Sequence, residues 1–131
     1  MDVAREGKQA DRVVLANGSD PKDWKQDVCF IEVAKIEKDT LRLSVSYTGG
    51  CAEHDFRLVA WDYFSKVSKA EAPQAKLLLA HDANGDACKA IIKEALRFDI
   101  APLAAEYHRV YGPEQMTVWL RLRDFDIEYF V

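Results

Sequence analysis

His81-Asp82-Ala83-Asn84-Gly85-Asp86-Ala87-Cys88 is the stretch whose conformation sets the fold. A two-residue type I′ turn needs positive φ at both central positions, a demand that Asn-Gly meets with little strain. The turn predicts a hairpin in which Ala83 pairs with Asp86, Asp82 with Ala87 and His81 with Cys88. The same register sets Leu79 opposite Ala90 and Leu77 opposite Ile92, with Leu96 and Phe98 continuing that face. Lys76, Asp82, Lys89 and Lys93 take the other side, beside Leu78 and Ile91. One apolar and one mostly polar face is the pattern of a half-buried strand pair. A helix over Ala87–Phe98 is the competing reading, because the segment is rich in good helix formers. The turn and the matching register favour the strand.

On either side of this stretch the apolar period is close to two. Leu41, Leu43, Val45 and Tyr47 alternate with Arg42, Ser44, Ser46 and Thr48, and Lys38-Asp39 joins that strand to Val28–Glu37. The alternation within Val28–Glu37 changes phase, which predicts a bulge. Phe56, Leu58 and Ala60 form the inward face of a further strand, with Arg57, Val59, Trp61 and Tyr63 on its other side. Ser65–Pro73 reads as a polar loop. Pro102 followed by Leu103-Ala104-Ala105-Glu106-Tyr107 predicts one or two helical turns, ended by Gly112-Pro113. Val118, Leu120 and Leu122 mark another strand, and Asp126–Val131 the last. The expected fold is all-β and mainly antiparallel, a β-sandwich of about seven strands with one short helical crossover. Residues 1–27 read as a polar, partly disordered arm with one short strand at Arg12–Leu15 and Trp24 as its anchor. Residues 28–131 read as a single domain.

At 131 residues the chain is long enough to bury a core without metals or disulfides. A formal net charge of −4 argues against nucleic acid as a partner, since that contact needs a basic surface. No stretch has the roughly 20 apolar residues of a membrane span. The start, Met1-Asp2-Val3-Ala4-Arg5-Glu6-Gly7, lacks the apolar core of a secretory signal, so the expected compartment is the cytoplasm, or the periplasm and cell envelope if a leader was trimmed. Three cysteines, an odd number, leave at least one thiol free, and Cys29 is expected to be it, buried at the head of a strand.

Tyr47-Thr48-Gly49-Gly50-Cys51-Ala52-Glu53-His54-Asp55-Phe56, then Leu79–Cys88, then Phe98-Asp99-Ile100-Ala101-Pro102-Leu103 together resemble an uncharacterised group of bacterial domains. Its members share Gly-Gly-Cys-x-x-His-x-Phe and His-x-x-Asn-x-Asp-x-Cys segments, often behind lipoprotein-type leaders. The likeness covers roughly residues 41–131. It implies a bacterial source and gives weight to Cys51, His54, His81 and Cys88, without implying an activity.

Those four residues support several chemistries. Cys51, His54, His81 and Cys88 form a complete Cys₂His₂ set for tetrahedral zinc, with Asp55, Asp82 and Asp86 available to orient the imidazoles. Alternatively, a Cys51–Cys88 disulfide closes a loop of about 37 residues, worth roughly 3–4 kcal/mol in the chain-entropy model. A third reading makes one thiol a nucleophile activated by a histidine, with Gly49-Gly50 presenting N–H groups to an oxyanion. Asp82, Asn84 and Asp86 mimic the start of a calcium loop, but Ala87 and Lys93 stand where it needs Gly and Glu. The favoured function is a non-enzymatic module that binds a protein or small ligand, with the Cys/His cluster as a structural staple, either a disulfide or zinc. A metal-handling or thiol-redox protein is the alternative.

Overall fold

The computed structural model describes residues 11–16, 18–65 and 72–131. Nine strands form among them: β1 (Asp11–Arg12), β2 (Val14–Leu15), β3 (Phe30–Glu37), β4 (Thr40–Gly49), β5 (Asp55–Ser65), β6 (Gln74–Asp82), β7 (Ala90–Asp99), β8 (Thr117–Leu122) and β9 (Phe125–Phe130). They build two sheets, ordered β1-β7-β4-β3 and β2-β5-β6-β8-β9. Leu41, Leu43, Val45, Leu96 and Phe98 of the first sheet meet Phe56, Leu58, Leu77, Leu79, Leu120 and Leu122 of the second in one buried cluster. The expected sandwich therefore forms, since each sheet has one apolar face to hide. Its sheets are mixed: β1 runs parallel to β7, β2 to β5 and β6 to β8, while the other pairs are antiparallel.

The hairpin is corrected. The Asn84-Gly85 turn forms, with φ of 53° and 72° and a 3.0 Å bond from the Asp86 N–H to the Ala83 carbonyl. Its two strands nevertheless enter different sheets. His81 lies opposite Phe56 instead of Cys88, and Leu79 and Leu77 lie opposite Leu58 and Ala60. Ala90 and Ile92 face Gly49 and Tyr47. The error has a physical origin: β6 and β7 both turn their apolar faces to the same core, from opposite sides. That pattern fits a hairpin and a corner between sheets equally well. Residues 90–99 are nonetheless a strand and not a helix.

Other expectations can be placed directly. The phase change in β3 is a register shift between Ile31 and Val33. The helical crossover α1 (Ala101–Tyr111) is longer than expected, at 11 residues, with Pro102 in its first turn. It buries Leu103 and Tyr107 and ends at Gly112, whose φ of +96° favours glycine. Residues 1–10 of the arm and 66–71 of the polar loop lie outside the described residues. The rest of the arm contributes a short strand to each sheet, and Val13 between them is buried. Cys29 is a buried free thiol, as expected.

Candidate functional site: a disulfide, a buried carboxylate and two histidines

The chain crosses between sheets twice at one end of the sandwich, once from β4 to β5 and once from β6 to β7. A Cys51–Cys88 disulfide joins the crossings, with Cα atoms 5.8 Å apart. Asp86 reinforces the link. Its Oδ2 accepts the backbone N–H groups of Gly50, Cys51 and Ala52 at 3.0, 3.1 and 3.1 Å, and its Oδ1 accepts that of Cys88 at 3.0 Å. Successive N–H groups converging in this way form an anion nest, filled here by the protein's own carboxylate. His54 Nε2 is the fifth partner, at 2.9 Å, and both side chains are sealed from solvent. The His54 bond, followed by the backbone N–H groups, holds the Asp86 carboxyl well below the usual carboxylate range against the cost of desolvation. On the outer side, Asn84 Nδ2 donates to the Glu53 carbonyl and the Asp55 carboxylate, tying the crossings together again.

The hydrogen bonds continue inward from Asp86. His54 Nδ1 lies 2.8 Å from His81 Nε2, and His81 Nδ1 lies 2.9 Å from the Asp27 carbonyl. A carbonyl can only accept, so His81 donates from Nδ1, and in its neutral form it offers Nε2 as an acceptor. His54 Nε2 donates to the Asp86 carboxylate, which as an ion can only accept. Burial, first of all, lowers the His81 pKa, which favours that neutral form. Phe56 stacks on His81 at 4.5 Å between centroids, and Tyr47 lies 4.3 Å from the His54 ring. The arm closes the site: His81 N–H donates to the Lys25 carbonyl and Asp27 N–H to the His81 carbonyl.

The four residues singled out from sequence therefore divide into two pairs. Cys51 and Cys88 are bonded to each other, and His54 and His81 hydrogen-bond to each other. The donor set does not fit zinc, which needs both sulfurs as thiolates and free imidazole nitrogens. Among the described residues, the ligand atoms that gather within 4.8 Å are those of Cys51, Asp86 and Cys88, without either histidine. Neither thiol is available as a nucleophile, and the N–H groups read as an oxyanion cradle are taken by Asp86. The calcium reading also loses its ligands, since Asp82 Oδ1 caps the Asn84 N–H and Asp86 fills the nest.

Sequence reasoning missed the roles of four residues. Asp27 acts through its carbonyl, which no side-chain pattern reveals. Gly49 is required by space: a Cβ there would lie 2.7 Å from both His54 Nε2 and Asp86 Oδ2. Tyr47 and Phe56 were legible as core positions, but not as the walls of the histidine pair. Away from this site, a shallow cleft on the outer face of the second sheet is lined by Gln74, Trp119, Arg121 and Asp126. It lies at the opposite end of β6 from His81. No helix among the described residues is long and apolar enough to cross a membrane.

No family model matches the chain, and no curated protein is significantly similar to it. Solved structures do share its fold. A NigD-like immunity protein from Bacteroides caccae superposes with a TM-score of 0.57 at 21% identity, covering 92% of this chain and 58% of that one. A protein from Parabacteroides distasonis described as toxin-related gives 0.55 at 17% identity, with coverages of 93% and 60%. One from Bacteroides fragilis described as a lipoprotein gives 0.53 at 12% identity, with coverages of 93% and 69%. The chain thus spans about three fifths of the first two. At these identities the likeness establishes a shared fold, found in bacterial proteins.

Proposed function

We propose that this chain is a non-enzymatic binding module of the bacterial cell envelope, with the Cys/His cluster as a staple that fixes one end of its sandwich. One observation carries the reading: the reactive atoms of the cluster are consumed by one another. The sulfurs are joined, Asp86 takes five donors, and all four imidazole nitrogens are engaged. A disulfide suits an oxidising compartment, and a fold shared with a protein described as a lipoprotein agrees with an envelope location. The immunity and toxin-related fold neighbours make a protein the first partner class to test.

The alternative, metal handling or thiol redox, is separated by thiol titration and metal analysis of protein purified from the periplasm and again after reduction. The staple reading expects only Cys29 to titrate in the unfolded chain before reduction, all three cysteines after it, and no bound zinc in either state. A reduced, folded chain that holds one equivalent of zinc would overturn it, as would a dithiol cycling freely with glutathione.

A further inference from the structure

The outer face of the first sheet joins an apolar trough to a row of cations. Val28 and Phe30 flank buried Cys29 and are 73% and 66% exposed, and Val33 is exposed beyond the bulge. Across the sheet, Ser46 separates Phe30 from Lys93, Ser44 separates Val33 from Ala95, and Thr48 lies beside Ile91. Ile91 is 75% exposed. Short hydroxyl side chains on β4 thus floor a trough with taller walls on β3 and β7. One row further along, Lys35, Arg42 and Arg97 stand in register on three adjacent strands.

Like charges directly opposite one another destabilise a sheet. The acids of the next row are already paired, Glu37 with Arg42 of the cation row and Asp99 with Arg12. Among the described residues, Lys35, Lys93 and Arg97 have no ion-pair partner. This concentration of cations sits on a chain whose net charge is −4. A second copy of the same face would bring the same cations, and its Glu37 and Asp99 are already paired with Arg42 and Arg12.

We propose that this face docks an acidic protein segment, an extended strand-like stretch whose apolar side chains enter the trough and whose carboxylates meet Lys35, Lys93 and Arg97. The proposal rests on the binding-module reading and names its surface and partner class. The face is three strands wide and about 20 Å long, and an extended segment of six or so residues would span it. Apolar contact holds such a segment, and the cations select its sign.

The test is a ¹⁵N-resolved NMR titration of the oxidised chain with three probes. These are a short peptide alternating Phe or Val with Glu, its twin with Lys for every Glu, and phosphatidylglycerol vesicles. The expected result is saturable shifts at Phe30, Ser46, Ile91, Lys93 and Arg97 with the acidic peptide alone. Combined Lys93→Glu and Arg97→Glu substitution should weaken binding roughly tenfold, while an unchanged urea midpoint confirms the fold. Equal response to both peptides, response to neither or to vesicles alone, or dimerisation through the face that Phe30→Ser abolishes would each overturn the proposal. Shifts confined to another surface would remove this face and leave the binding-module reading standing. Failure of that reading shows separately, in the thiol and zinc measurements.

Discussion

Breaking the Cys51–Cys88 bond should cost the same whichever sulfur is removed. The bond closes a loop with a sequence separation of 37. In the chain-entropy model, that loop removes about 13 cal/mol/K from the unfolded state, or about 4 kcal/mol at 25 °C. Cys51→Ser, Cys88→Ser and the double substitution should therefore each lose about 4 kcal/mol, because all three delete one link. Urea unfolding reads the loss directly, and for a chain of this size it should lower Tm by roughly 15 °C. Adding reductant to the native chain should reproduce the value and leave the variants unmoved. A double variant that loses close to the sum of the single losses would refute the reasoning, as each sulfur would then act through separate contacts. Losses below about 1 kcal/mol would refute it differently, showing that Asp86 already closes the loop in the unfolded ensemble.

Acidification should destabilise the fold. The unfolded chain protonates His81 near pH 6.5, whereas the buried ring resists protonation until lower pH, so the unfolded state binds more protons. Stability should fall below about pH 6.5 by at most about 1.4 kcal/mol per pH unit for that proton, and Asp86 should extend the loss below its ordinary titration range; urea midpoints that rise between pH 7 and 5 would contradict this. Tyr129→Phe should cost about 2 kcal/mol in chemical denaturation, since it deletes a bond to a charged group, the 2.6 Å donation from buried Tyr129 to Asp39. Gly49→Ala should cost about 1–3 kcal/mol through overpacking and should break the His54–Asp86 contact, visible as a loss of the histidine N–H resonances in NMR.

The sequence was legible wherever burial alone sets the pattern. The strict alternation at Leu41, Leu43, Val45 and Tyr47 has one solution, a strand with one face in the core, and all four are buried. The Asn84-Gly85 turn was legible for the same local reason, because few dipeptides tolerate its backbone. What followed the turn was not legible. Leu77 and Leu79 on one strand and Leu96 and Phe98 on the other satisfy the core equally as partners in one sheet or as opposed layers of two. The two parts of the site differ in the same way. Cys51 and Cys88 stood out by residue type and by their place beside turns. The nest that holds Asp86 is built from backbone N–H groups, and the Asp27 carbonyl is backbone too, so their roles arise only once distant segments meet.

The disulfide and the Asp86 nest lie together at one end of the sandwich, while α1 and the Tyr129–Asp39 bond occupy the other. That asymmetry sets an order of events for a chain coming apart. Among the described residues, the end with α1 joins the layers by packing and by the Tyr129 hydroxyl bonds to Asp39 and Ile100, with no disulfide, so it opens first, and the sheets then swing about the cross-linked end. In the oxidised protein the amides of Ile100 and Leu120 should therefore exchange with deuterium ahead of those of Phe56 and Ile92. Reduction should erase the difference, making the molecule's redox state readable as a sequence of exchange times.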